Sequence, residues 1–132
     1  MVDSFDPKAM SALVTAEQVA EWLALAKRCA VDREGDAVIV EAVDSALAAS
    51  MLVAGWDAVC AKLENAELIT LIRLFTLGEM QHPSWQAGAK SPVVPLVKLL
   101  KQRNAFDAAF GRWIKANTTN RFLPHGDLSA LL

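Results

Sequence analysis

Residues 36–63 read DAVIVEAVDSALAASMLVAGWDAVCAKL, and the way this stretch folds decides the architecture. Its apolar side chains recur on nearly every face of a helix, which is the pattern of a helix at the centre of a bundle. Asp36 is a candidate N-cap directly after Gly35, which breaks whatever precedes it. The sequence therefore predicts a long, apolar, central second helix, with Gly55 as the place where it is open to interruption. Small residues along it (Ala42, Ala46, Ala48, Ala49, Ser50 and Ala54) let neighbours approach closely and mark it as a self-association surface. Glu41, Asp44 and Asp57 interrupt the most apolar part of the chain, which argues against a membrane span.

Working outward towards the N-terminus, Thr15 and Gln18 form a capping-box pattern, and Val19, Trp22, Leu23, Ala26, Cys29 and Ala30 follow at helical spacing. Glu17, Glu21, Arg28 and Asp32 take the opposite face, so helix one runs from Thr15 to Gly35 behind an N-terminal arm, residues 1–14. On the other side, a third helix starts at Glu64 or Asn65, carries Leu68, Leu71, Ile72, Phe75 and Leu77, and closes near Gln81. Pro83 disfavours helical backbone at the residue before it. Residues 83–91 form the one substantial connector, and Ser91-Pro92 reads as an N-cap followed by proline at the first helical position. Helix four turns Val93, Leu96, Val97 and Leu100 inward. The chain bends at Arg103-Asn104 into helix five, where Phe106, Ala109, Phe110 and Trp113 line one face. Residues 117–132 form an irregular C-terminal tail whose Leu128, Leu131 and Leu132 dock on the bundle.

The whole is a single all-α domain, a compact bundle of about five helices. A length of 132 residues is one domain's worth. Ala and Leu, 23 and 17 residues, dominate, Tyr is absent and Pro numbers 5, a bias towards strong helix formers. Net charge is −2, which excludes a strongly basic or acidic chain. The halves differ, because residues 1–67 hold 12 acids and 5 bases whereas 68–132 hold 3 and 8. That asymmetry, with the apolar second helix, predicts a homodimer held by unlike or apolar faces. If Cys29 and Cys60 lie on long antiparallel helices, they sit about 20 residues, roughly 30 Å, apart along the second, too far for a disulfide. With no positively charged segment leading into an apolar core at the N-terminus, the expectation is a cytoplasmic protein.

Catalytic patterns are sparse. Glu79 and His82 make one Glu-x-x-His step, but di-iron bundles need the step twice, and the other histidine is His125 in the tail. No metal or cofactor is implied. Cys29 and Cys60 sit among Ala, Val and Trp and read as inert core. Glu41 and Asp44 share a face, for which Arg73 is a natural partner. Gly88-Ala89-Lys90-Ser91 lacks the spacing of a phosphate loop, yet a helix N-terminus at Ser91 beside Lys90 favours an anion. The basic residues 98–121 alternate with Phe106, Phe110 and Trp113. Single-stranded nucleic acid is the lesser alternative there, because those aromatics fall at the spacing of a core face.

One region gathers polar and aromatic groups at high density. Residues 78–91 and 117–127 bring Glu79, His82, Trp85, Lys90, Ser91, Arg121 and His125 into irregular segments, where binding tends to reside. Trp85 falls outside any helical apolar stripe, and Arg121 has the fork geometry for a carboxylate or phosphate. The competing reading is that Trp85 pins the connector to the bundle and Arg121 caps the last helix. The favoured function is a non-enzymatic interaction or regulatory module with an unknown protein partner. The alternative is an enzyme or binder of a small anionic ligand at the loop and tail surface.

Overall fold

The computed structural model describes residues 13–29, 45–82, 85, 87–120 and 123. These are mostly helical, with six α-helices: α1 (Ala16–Cys29), α2 (Ser45–Ala49), α3 (Trp56–Cys60), α4 (Asn65–Gln81), α5 (Val93–Gln102) and α6 (Ala108–Ala116). Short 3-10 turns follow α2 at Ser50–Leu52 and precede α5 at Gly88–Lys90. Among the described residues, β structure is limited to an isolated bridge between Leu13 and Ala54. No described helix is long and apolar enough to cross a membrane.

Local signals place most of these elements. At the start of α1, the Thr15 amide donates to Gln18 Oε1 (3.0 Å) and the Gln18 amide donates to Thr15 Oγ1 (3.1 Å), the expected reciprocal cap. Glu64 and Glu67 form the equivalent box at α4, and α4 ends at Gln81 as the downstream proline requires. The Val93 amide donates to Ser91 Oγ at the start of α5, and Asp107 caps α6 through the Phe110 amide. Arg103 donates to the carbonyls of Ala61 and Leu63 and to Asn65 Oδ1, tying the end of α5 to the α3–α4 junction.

The long central second helix is the expectation that fails. Over its described part, residues 45–63, it is two short helices separated by a 3-10 turn and an extended Val53, with Gly55 at φ 95. The reason is tertiary. Two buried indoles need acceptors: Trp22 Nε1 donates to Ser50 Oγ (2.9 Å) and Trp56 Nε1 to the Ser50 carbonyl (3.0 Å). A continuous helix would commit that carbonyl to the amide four residues on. The break also frees the Ala54 carbonyl to accept from the Val14 amide (2.9 Å), which fastens the segment before α1. In the broken form Leu47, Met51, Trp56 and Cys60 all reach the core. The distance argument against a disulfide loses its continuous helix, yet Cys29 and Cys60 are both free thiols. Residues 30–44, including Glu41 and Asp44, lie outside the described residues.

The central place belongs to α4, which packs against α1 and α5 and buries Leu68, Leu71, Ile72, Leu74 and Phe75. Its Phe75 receives the edges of Trp22 (centroids 4.9 Å apart) and Trp56 (5.2 Å), and Trp22 in turn meets Trp85 at 5.0 Å. Three tryptophans and a phenylalanine around one helix form the aromatic centre of the core. Each such edge-to-face contact adds about 0.5–1.5 kcal/mol to the burial itself.

Candidate functional site

Two of the charged side chains on α4, Glu79 and Arg73, meet opposite fates. Glu79, one turn from the C-terminal end, is 3% exposed. The Ser91 hydroxyl donates to its Oε2 (2.5 Å), and the Ala87 amide (3.4 Å) and Asn120 Nδ2 (3.5 Å) approach Oε1. Asn120 Nδ2 also donates to the Gly88 carbonyl (3.1 Å). One carboxylate thus joins α4, the connector and the start of the tail. Burial pushes its pKa above the ordinary glutamate range, against the lowering effect of the Ser91, Ala87 and Asn120 donors.

This seam collects most of the residues singled out by sequence. Trp85 is 3% exposed, lies over Gly78 and stacks on His82 (centroids 5.4 Å, 30°). A Cβ on Gly78 would come within 2.2 Å of the Trp85 ring, so glycine is what admits the indole. Ser91 is fully buried, His82 is half-buried and Lys90 is exposed. The anion at the N-terminal end of α5 is therefore internal, because Ser91 presents its hydroxyl to Glu79. Arg121 and His125 lie outside the described residues. Among the described residues no cluster of three or more potential ligands could hold a metal ion. Burial raises the Cys60 thiol to about 12, with Asp57 and Glu67 adding to the effect, so it stays protonated at neutral pH.

The second charged residue is Arg73, two turns before Glu79. It lines a cleft of about 360 Å³ together with Ile69, Ala105, Asp107, Ala109, Phe110 and Trp113. Its guanidinium carbon sits 4.9 Å from the Trp113 ring centroid and 5.7 Å from that of Phe110, and the two rings stack at 5.8 Å and 26°. One terminal nitrogen, Nη1, is buried without a hydrogen-bond partner. An unsatisfied buried donor costs about 1–3 kcal/mol, and more when charged. Stacking over aromatic faces returns about 0.5–2 kcal/mol, so the guanidinium is left in deficit.

Sequence reasoning missed this cleft. It placed Phe106, Phe110 and Trp113 on a core face, and all three are only half-buried against the core, whereas Ile114 is the fully buried residue of α6. It offered Arg73, or a solvated stripe, as the explanation of Glu41 and Asp44, which lie outside the described residues. The available signal was that Arg73 is the only charge in the otherwise apolar run of residues 68–78. A lone cation in the middle of a core helix needs a local reason.

Compared with protein-family models, curated proteins and solved structures, the chain matches none.

Proposed function

We propose that this chain is a non-enzymatic binding module, and that the cleft between α4 and α6 receives an anionic group from a partner or ligand. The observation that supports this reading is Arg73, a guanidinium held against two aromatic rings with a buried nitrogen lacking an acceptor, on the wall of an open cleft. The loop and tail surface has less support as a binding site. Glu79 and Ser91 are turned inward there and bonded to each other, and Trp85 is buried over Gly78. Glu79 is also a poor general acid or base, because its oxygens face structural donors. Nucleic-acid binding along residues 98–121 is weakened in the same way, since Arg103 is committed to three acceptors within the fold.

Thermal-shift screening against anionic metabolites and divalent metals tests the reading, run in parallel on wild type and Arg73→Gln. Stabilisation by an anion that disappears in Arg73→Gln is expected. Stabilisation by a divalent metal that persists in Arg73→Gln contradicts it. Self-association into a homodimer is a second proposal, supported by Leu13 and Leu52, each 52% exposed, near the Leu13–Ala54 bridge. Sedimentation that finds only the 14.3 kDa chain at micromolar concentration refutes that proposal.

A further inference from the structure

From the same cleft we infer the class of its occupant: a monocarboxylate carried on an apolar body, the carboxylate on Arg73 and the body against Phe110 and Trp113. This inference rests on the cleft being a binding site. Among the described residues Arg73 Nη1 has no hydrogen-bond partner, and the guanidinium carbon lies over the two rings. A guanidinium offers a planar, two-oxygen acceptor two parallel donors, so a carboxylate in the cleft pairs with the Arg73 nitrogens that face it.

The lining residues choose among anions. Among the described residues that line the cleft Arg73 is the only cation, and Asp107 stands there as well. Asp107 accepts from the Phe110 amide through Oδ1 (2.7 Å) as the cap of α6, and it does not supply an acceptor to Arg73 Nη1. A phosphate brings more charge than one guanidinium neutralises and would face the Asp107 carboxylate as well. A single negative charge fits the one available cation. The other walls, Ile69, Ala105 and Ala109 with the two rings, offer apolar surface, and about 360 Å³ lies at the small end of ligand pockets. An acid without an apolar body would leave these walls wet. The same chemistry is presented by a free small acid and by the C-terminal carboxylate of a peptide ending in an apolar residue.

The test is a titration of the full chain followed by proton–nitrogen NMR, reading the Trp113 indole and the Phe110 amide. The probes are 3-phenylpropionate, its neutral amide, phenyl phosphate and acetate. Saturable shifts are expected with 3-phenylpropionate at about millimolar concentration or below, with each of the other three at least about tenfold weaker. Arg73→Lys, which keeps the charge and removes the fork, weakens binding by about tenfold, and Arg73→Gln abolishes it with the spectrum of the rest of the fold unchanged. A short peptide ending in leucine, with a free or amidated C-terminus, identifies the source: saturation by the free form alone extends the assignment to peptide termini, and saturation by neither confines it to small acids. Equal affinity for 3-phenylpropionate and its amide, or undiminished binding by Arg73→Gln, overturns the inference. Tighter binding of phenyl phosphate, with the same two resonances moving, overturns the carboxylate assignment and leaves the binding-module reading standing. Stillness of both resonances with every probe, together with no anion stabilisation lost in Arg73→Gln, overturns both.

Discussion

Glu79 and Arg73 lie on one helix, six residues apart, and differ in whether the fold completes them. Glu79 is almost fully buried, with donors from the connector and the tail converging on its carboxylate and Trp85 packed over the neighbouring Gly78. Around Arg73 the described residues supply ring faces but no acceptor for Nη1. The first arrangement joins three segments of chain, so its removal should be felt throughout the structure. The second rests on two rings of α6 without a hydrogen bond at Nη1, so its removal should be felt mainly by what binds. A charged group buried among its own partners reports on architecture, and one left short of a partner reports on recognition.

The largest expected effect tests the closed side. Trp85→Ala should lower stability by about 3–5 kcal/mol, the usual range for truncating a buried aromatic, as read by chemical denaturation. Gly78→Ala forces a Cβ into the same ring and should cost about 1–3 kcal/mol by overpacking. An unchanged unfolding curve for Trp85→Ala would dissolve the contrast, because Trp85 would then be free to serve a ligand.

Glu79→Ala comes next. It leaves the Ser91 hydroxyl, the Ala87 amide and the Asn120 amide without their acceptor while relieving the burial of a charge, a net loss of about 2–4 kcal/mol. Glu79→Gln is smaller and is best seen through pH. Because the folded pKa of Glu79 lies above its unfolded value, the folded state holds the proton more tightly between the two. The stability contribution of Glu79 is therefore greatest below the ordinary glutamate pKa and declines as pH rises through the raised value. Denaturation midpoints followed over that window should fall in the wild type relative to Glu79→Gln. Parallel curves for the two proteins would remove the burial argument.

The smallest effect on stability is expected on the open side. Arg73→Met keeps the packing against the rings and removes the unpartnered charge, so the unfolding free energy should stay within about 1 kcal/mol of wild type. A loss of several kcal/mol would mean that Arg73 is structural and would erase the difference between the two regions.

Much of the fold was legible in the sequence because the determining signals are local. The capping boxes at Thr15 and Glu64, the stop before Pro83, the Ser91-Pro92 start and the turn at Asn104, which adopts φ 56, act within one or two turns of chain. Residues 36–63 carry no such punctuation apart from Gly55, and an apolar period alone does not distinguish one long helix from two short ones that bury the same side chains. The site was legible in part. Of the residues singled out as a polar and aromatic cluster, Glu79 and Ser91 share a hydrogen bond and Trp85 stacks on His82, whereas Arg121 and His125 lie outside the described residues. The pairing of Arg73 with Phe110 and Trp113 spans about 40 residues, and no local spacing records it.

By itself, then, the sequence determined an all-helical chain, most of its helix boundaries and the absence of any long apolar span among its described helices. Only the tertiary structure decided which helix is central and which charge is left without a partner. Helix formation and capping are settled by groups a few residues apart. The break at Ser50, by contrast, answers the hydrogen-bonding needs of Trp22, 28 residues away, and the orphaned nitrogen of Arg73 follows from rings on another helix. Burial and unmet hydrogen bonds belong to the assembled core, so they cannot be read before the helices have met.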